Sequence, residues 1–398
     1  MGTKVICHID LNAFFVRCEE LKNPKLEGKP VAIGREGRCG IVSTCSYKAR
    51  EFGVRSGMPM FQAKSLCPSL IILPVDFKFY QKKSHDFFNY VKRTTKLVEI
   101  ASVDECYADF TNVVKNKKDP LKFFEEFQQE LYRETKLKCS IGIAPTKFLA
   151  KMGSDMKKPM GITIIHRKDS VEKLSPLPVG DFFGIGKKTA PRLINAGINT
   201  IGDLYNAVLN EDENIKNMMG KFFYIIKDLI EGKSNDELDL EPWDPKSIGN
   251  STTLVEDTDD FAEIKQTISS LCKEVSERCV KENKLGNTIQ IVIKDPDFKV
   301  KNKSIKLANP TNDYKVIYET ACKLYEKYYQ GITIRLVGVT LQNLIDPKDV
   351  VIQMTFFDYE QHEEESQTKL LIEEFNRKLD KPLLMRASEI KKGKHGNN

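Results

Sequence analysis

Two short segments place the tightest constraint on this chain: Asp10, closing the apolar run Val5-Ile6-Cys7-His8-Ile9, and the stretch Ser102-Val103-Asp104-Glu105-Cys106-Tyr107. Both read as strands, since Asp104 and Glu105 follow Val98-Glu99-Ile100-Ala101 and precede Cys106-Tyr107-Ala108-Asp109-Phe110. Successive strand residues point to opposite faces, so two neighbouring carboxylates serve one site only where the chain turns. The stretch therefore reads as a β-hairpin with Asp104 and Glu105 at or beside its tip. With Asp10 on the neighbouring strand, three carboxylates converge, and such a cluster repels itself unless cations sit in it. Hard oxygen ligands select Mg²⁺, which keeps several waters and takes phosphate oxygens as further ligands. A pair of such ions suits phosphoryl transfer, activating the attacking hydroxyl and stabilising the leaving phosphate. Each acid alone is more often a turn or strand-end residue than a ligand; together they point to a metal site.

At 398 residues the chain has room for several domains. No run of eighteen or more apolar residues occurs, which excludes a helical membrane span. The start, Met1-Gly2-Thr3-Lys4, enters a strand without a signal-peptide layout. The ten cysteines are scattered with no CxxC pair, against a zinc site or disulfide framework and for a reducing cytosol. The net charge of +6 permits a polyanionic partner without demanding one.

Residues 1–165 alternate strands (4–9, 30–34, 40–45, 98–102, 106–110, 139–143, 161–165) with helices (13–21, 46–52, 59–66, 77–96, 121–136, 146–157), an α/β or α+β core. From 166 to 240 the pattern is helical and glycine-punctuated, and 233–247 reads as an extended linker. Strands at 249–256, 287–294, 298–305 and 332–342 with helices at 261–283 and 313–329 make a self-contained βαββαβ unit. Beyond 347 the chain is polar.

Further motifs lie along this frame. In Ser43-Thr44-Cys45-Ser46-Tyr47-Lys48-Ala49-Arg50 a strand passes into a helix through small hydroxyl residues, an arrangement suited to phosphate. Tyr47 and Arg50 share a helix face, and Arg50 can clamp a phosphate with two parallel hydrogen bonds. Lys157 and Lys158 end a helix before Pro159, where one of them can reach a triphosphate as a point charge. Phe183-Gly184-Ile185-Gly186-Lys187-Lys188-Thr189 resembles a helix-hairpin-helix turn, whose amides hold a nucleic-acid phosphate without reading sequence. Lys299, Lys301 and Lys303 recur every second residue, with Lys306 extending the row and Arg335 on the last strand; a DNA backbone would cover such a row. Gln353-Met354-Thr355-Phe356-Phe357 is an apolar knot in a polar tail and suits a short docking peptide.

These residues, in this order and spacing, resemble the Y-family of translesion DNA polymerases, particularly the bacterial DNA polymerase IV (DinB/UmuC-type) branch. The similarity runs from about residue 4 to 345 and includes His8-Ile9-Asp10-Leu11-Asn12-Ala13-Phe14-Phe15, Ser46 to Arg50, Ser102 to Glu105, Lys151 to Gly161, Gly184-Ile185-Gly186 and Lys246-Ser247-Ile248-Gly249. The resemblance implies an α+β right-hand layout. A ferredoxin-like palm would span 1–10 and 76–165, small α/β fingers 11–75, and a helical thumb 166–240. A linker (241–247), a βαββαβ little finger (248–345) and a tail with a clamp-binding peptide (346–398) would follow. Asp10, Asp104 and Glu105 map onto the catalytic metal ligands, with the Leu11 carbonyl as a further one. The amides of Phe14 and Phe15, and Thr44, Tyr47, Arg50 and Lys158, map onto the triphosphate contacts. Phe15 maps onto the steric gate against a 2′-hydroxyl. Asn12 stands where many members have a second Asp, so it is not expected to be a ligand. Gly184, Gly186, Lys187, Lys188, Lys299, Lys301, Lys303 and Arg335 would meet DNA, and Gln353, Met354, Thr355, Phe356 and Phe357 a sliding clamp.

The activity implied is low-fidelity, low-processivity, template-directed synthesis opposite damaged bases. It would use two Mg²⁺ ions (Mn²⁺ substituting), primer-template DNA and deoxynucleoside triphosphates, without proofreading. The protein would be a monomer in the bacterial cytoplasm, nucleoid-associated and not bound to membrane. The rival readings are a non-catalytic DNA-binding scaffold of the same fold and another palm enzyme such as a nucleotide cyclase.

Overall fold

The computed structural model describes residues 4–234 and 237–350. The chain divides into two units, Met1–Pro242 and Trp243–Asn398.

The first unit opens with β1 (Ile6–Leu11) and α1 (Phe14–Lys22). A small layer follows, of β2 (Val31–Gly34), β3 (Val42–Cys45), α2 (Tyr47–Glu51), α3 (Met60–Leu66) and β4 (Ile71–Leu73). Next come α4 (Phe77–Thr94), β5 (Val98–Ile100), β6 (Glu105–Asp109), the single turn α5 (Thr111–Val114), α6 (Pro120–Thr135), β7 (Cys139–Ala144), α7 (Lys147–Met156) and β8 (Ile162–Ile164). The remainder is helical: α8 (Ser170–Leu174), α9 (Thr189–Asn195), α10 (Ile201–Leu209), α11 (Glu213–Met219) and α12 (Phe223–Ile230). β2 to β4 form a three-stranded sheet in the order β3-β2-β4, and the larger sheet runs β5-β6-β1-β7-β8. Only β7 and β8 are parallel in the larger sheet.

The alternation of β1 sorts its residues between two layers. Cys7, Ile9 and Leu11 enter a core with α4 and α6, whereas Ile6 belongs to a second core shared with α7 and the helical segment. By the same parity His8 and Asp10 face α7. Helix α4 presents Tyr80, Ser84, Phe87 and Val91 as one buried stripe. Its start is fixed by Asp76, whose side chain accepts from the Phe79 amide at 3.1 Å. In α6 the stripe is Phe124, Phe127, Leu131 and Thr135, begun by Pro120 in the first turn and by Asp119 as cap. Each such aromatic or aliphatic side chain stabilises the layer by about 1.5–3 kcal/mol.

Gly142 decides how closely α7 approaches. It pairs with His8 across the β1–β7 register. A Cβ there would lie 1.9 Å from the Ala150 carbonyl oxygen and 2.4 Å from the Ser154 amide nitrogen. Only glycine lets the helix backbone sit this near the sheet, and that approach delivers Lys151 and Ser154 to the site.

The second unit contains β9 (Ser247–Thr258), α13 (Phe261–Lys281), β10 (Leu285–Lys294), β11 (Val300–Thr311), α14 (Tyr314–Tyr329) and β12 (Ile334–Ile345), the βαββαβ order expected. Its antiparallel sheet runs β11-β10-β12-β9. Ile289, Ile291, Ile293, Val337, Val339 and Leu341 pack against Ile264, Ile268, Leu271, Ile317 and Tyr325 of the two helices. By alternation the opposite face carries Gln290, Val292, Gly338, Thr340 and Ser251.

Three details differ from expectation. β4 was not anticipated: three residues carry no readable period, and it forms by parallel pairing with distant β2. β9 begins at Ser247, inside the expected linker. Lys299 precedes β11 in the hairpin turn, its amide bonded to the Asp295 carboxylate at 2.9 Å. No helix among the described residues is long and apolar enough to cross a membrane.

Candidate active site

Asp10 and Glu105 are direct cross-strand partners on β1 and β6. Parity would send Asp104 to the other face. The chain leaves strand geometry there, with β6 starting at Glu105 and the Leu11 amide donating to the Asp104 carbonyl at 2.9 Å. The Asp104 carboxylate accepts from Ser102 Oγ at 2.6 Å. The expected bend beside the acidic pair is thus present, and Asp104 stands outside the close donor group that contains Asp10 and Glu105.

The tightest group of donors among the described residues is His8, Asp10 and Glu105, whose ligand atoms lie within 4.8 Å of one another. His8 is completely buried. Its Nδ1 lies 2.8 Å from Ser154 Oγ, and its Nε2 lies 3.4 Å from Glu105 Oε2 without an aligned hydrogen bond. Two cations complete the cluster. Lys151 Nζ lies 2.8 Å from Glu105 Oε2 and 3.3 Å from Asp10 Oδ2. Lys158 Nζ lies 2.9 Å from Asp10 Oδ2 and 2.7 Å from Asp155 Oδ1.

The two adjacent acids respond oppositely to this setting. Glu105 is held well below the usual carboxylate range by His8 and, against the effect of burial, by Lys151. Asp104 is raised by burial, against its bond from Ser102, with the charges of Asp10 and Glu105 adding smaller upward pushes. Burial opposes the charge on Lys151, yet Asp155, Glu105 and Asp10 raise it overall. The oxygen donors of Asp10, Asp104 and Glu105 fit a hard divalent cation. The two ammonium groups among them mark where positive charge is needed.

Asn12 is committed elsewhere, its Nδ2 donating to Ser140 Oγ at 3.0 Å and its Oδ1 accepting from the Met160 amide at 2.8 Å. Ser46 caps α2 by accepting from the Ala49 amide at 3.1 Å. The Arg50 guanidinium lies 4.7 Å from the Tyr47 ring centroid, so the two do share a face. Burial raises the Tyr47 hydroxyl, against the charges of Arg50 and Lys158. Thr44 sits next to this helix on β3, half-buried. Phe14 is buried while Phe15 stays partly exposed, at the start of α1. The first amides of a helix have no partner within it and are available to an anion.

Gly184 has φ +104°, and a Cβ there would meet the Phe222 ring at 2.8 Å, so this turn requires glycine twice over. The Gly186 carbonyl accepts from Thr189 and Ala190 to start α9, leaving exposed Lys187 and Lys188 just before it. In the second unit Lys301 and Lys303 pair with Ile293 and Ile291. They therefore project on the helix-bearing side of the exposed edge strand, not on the open face. Lys306 pairs with Thr288 and has the opposite parity, so the row divides between two faces. Lys303 Nζ lies 5.1 Å from the Tyr328 ring centroid. Arg335 stacks over Phe298 at 4.7 Å and lies 3.7 Å from Asp257. Gln353 to Phe357 fall outside the described residues.

Sequence reasoning missed His8 as a neighbour of Glu105, and it gave Lys151 and Asp155 no role. The spacing of Lys151, Asp155 and Lys158, at i, i+4 and i+7, was the signal that could have found the last two.

A model of the impB/mucB/samB family matches residues 9–155. A model of that family's C-terminal domain matches 245–355, and one of its HHH motif matches 169–198. The chain is 36% identical over 392 residues to DNA polymerase IV of Bacillus velezensis, covering 98% of this chain and 94% of that one. It is 37% identical over 390 residues to DNA polymerase IV of Bacillus anthracis, covering 97% and 94%. Among solved structures it resembles a Y-family DNA polymerase chimera of Dbh and Dpo4, with a TM-score of 0.75, 28% identity, and coverage of 86% of this chain and 99% of that chain. An insertion ternary complex of Dbh DNA polymerase matches over the same shares at 27% identity and a TM-score of 0.60. These likenesses bear out the right-hand α+β fold and set aside the scaffold and cyclase readings. The chain belongs to the impB/mucB/samB family and is a Y-family translesion DNA polymerase of the DNA polymerase IV branch.

Proposed function

We propose that Asp10, Asp104, Glu105 and the Leu11 carbonyl hold two Mg²⁺ ions, for which Mn²⁺ can substitute, at the centre of nucleotidyl transfer. The observation that carries this reading is the cross-strand opposition of Asp10 and Glu105, with Asp104 in the adjoining turn and two lysines neutralising them. When bound, the ions would activate the primer 3′-hydroxyl and stabilise the leaving pyrophosphate. Glu105 would hold the ion at the primer end, and either its carboxylate or a water could take the hydroxyl proton. Lys158 and Arg50 clamp the triphosphate, Lys158 exchanging Asp10 for a phosphate oxygen. Tyr47, Thr44 and the Phe14 and Phe15 amides orient the same group. The Phe15 ring excludes a 2′-hydroxyl.

In this reading the five-stranded sheet with α4, α6 and α7 is the palm, β2 to β4 with their helices the fingers, and α8 to α12 the thumb. The second unit is the little finger. Primer-template DNA would meet the Gly184–Lys188 turn and, separately, Lys299, Lys301, Lys303 and Arg335. The ternary complex of the Dbh relative supports DNA with an incoming nucleotide as the substrates. Gln353 to Phe357 would engage a sliding clamp. The protein would work as a monomer at the nucleoid in the bacterial cytoplasm.

The test is primer extension on a templated hairpin with Mg²⁺, with and without clamp. Short, template-directed extension should vanish in Asp104→Ala plus Glu105→Ala. Phe356→Ala plus Phe357→Ala should lose only the stimulation by clamp. Extension surviving in the first double variant would refute the metal site, and stimulation surviving in the second would refute the peptide.

A further inference from the structure

We propose that Glu19 is a positioning residue for sugar selection, acting through Tyr80 on Phe15; this rests on the reading of Phe15 as the steric gate. Phe15 and Glu19 are four residues apart on α1 and share a helix face. Both grip one residue of α4. The Phe15 ring stacks on Tyr80 with centroids 4.4 Å apart and planes 14° from parallel. The Tyr80 hydroxyl donates to Glu19 Oε1 at 2.7 Å. Helix α1 thus holds Tyr80 at both ends, by the ring face and by the hydroxyl.

Tyr80 is 2% exposed, so its hydroxyl needs a protein acceptor. Glu19 is nearly as buried and is fixed in turn. Lys22 Nζ lies 2.8 Å from the same Oε1 and 2.9 Å from Asp76 Oδ2, and Asp76 caps α4 through the Phe79 amide. Phe77 closes the group, edge-on to both Phe15 and Tyr80. A ring that excludes a single hydroxyl must be located to within a fraction of an ångström, and stacking alone does not locate a ring whose neighbour can shift. The chain Asp76–Lys22–Glu19–Tyr80 supplies that location through contacts within the protein.

The experiment is single-nucleotide insertion kinetics with matched deoxyribo- and ribonucleotides, using the full chain and four variants. Phe15→Ala should lose the preference for deoxyribose, which tests the gate itself. Tyr80→Phe keeps the stacked ring and loses the anchor, and Glu19→Ala loses the acceptor. Each should lower the preference roughly tenfold by raising kcat/KM for the ribonucleotide. Glu19→Gln should keep the parent preference, because one amide oxygen can accept from both Tyr80 and Lys22 as Oε1 does. If Phe15→Ala relaxes selection while Tyr80→Phe and Glu19→Ala do not, the inference fails and the gate stands. Equal losses for both sugars at Glu19→Ala would make Glu19 merely structural and overturn the inference. If Phe15→Ala leaves selection unchanged, the gate reading itself fails.

Discussion

The two large sheets of this polymerase gather charge in different ways. In the five-stranded sheet the contacting charges are mostly partly buried, come from β1, β6, α7 and the segment just after it, and lie within 3.5 Å of one another. In the four-stranded sheet Lys301 and Lys303 lie exposed on an edge strand, and the lysines are spread over both faces. The first arrangement depends on register, on one turn and on one glycine contact. The second depends only on composition at an edge. A cluster built by register should fail sharply when any supporting contact changes, whereas a dispersed basic edge should lose function in small, additive steps.

The largest effect separating the two should come from Gly142→Ala. The added methyl meets helix backbone rather than a yielding side chain, so thermal or urea unfolding should show a loss of about 2–3 kcal/mol together with loss of extension. Full stability in this variant would mean that α7 is not seated as described.

Next come two substitutions of adjacent residues with opposite signs, measured in chelator. In the folded protein Glu105 is held below the usual carboxylate range. Its charge therefore adds stability above that range, and this is lost as pH falls through the depressed value. Asp104 has its folded value above 3.8. Its charge therefore costs stability once pH exceeds the raised value, and the cost fades as pH falls. At pH 7 in chelator, Glu105→Gln should lower Tm and Asp104→Asn should raise it, and in separate assays with Mg²⁺ extension should be lost in both. Shifts of the same sign would contradict the electrostatic description.

The smallest effect should be Lys301→Glu plus Lys303→Glu. DNA affinity should fall at low salt and the slope of log K against log salt should flatten by about two, while kcat at saturating DNA holds. An unchanged affinity would make this edge a solvated strand protected by its lysines rather than a DNA contact.

The same contrast explains how much was legible in the sequence. The βαββαβ order and the turn at Asp104 and Glu105 follow from local periodicity and from the rule that neighbours on a strand diverge. β4 was illegible because its pairing with β2 is long-range. His8 was hidden inside an apolar run, and only the register of β1 against β6, which sets Asp10 opposite Glu105 and His8 opposite Tyr107, brings it to Glu105. The lysine row was legible as a row. Which side it faces was not, since that depends on Ile291 and Ile293 being the residues buried opposite it.

The most direct test of the central claim, that the acidic cluster is a two-ion site, is Mn²⁺ binding followed by electron paramagnetic resonance. The complex would contain a primer lacking its 3′-hydroxyl, a template and the matched nucleotide. Two ions should bind to the parent, spin-coupled through shared ligands, and the coupled signal should vanish in Asp104→Asn and in Glu105→Gln. A coupled pair that persists in either variant would contradict the account.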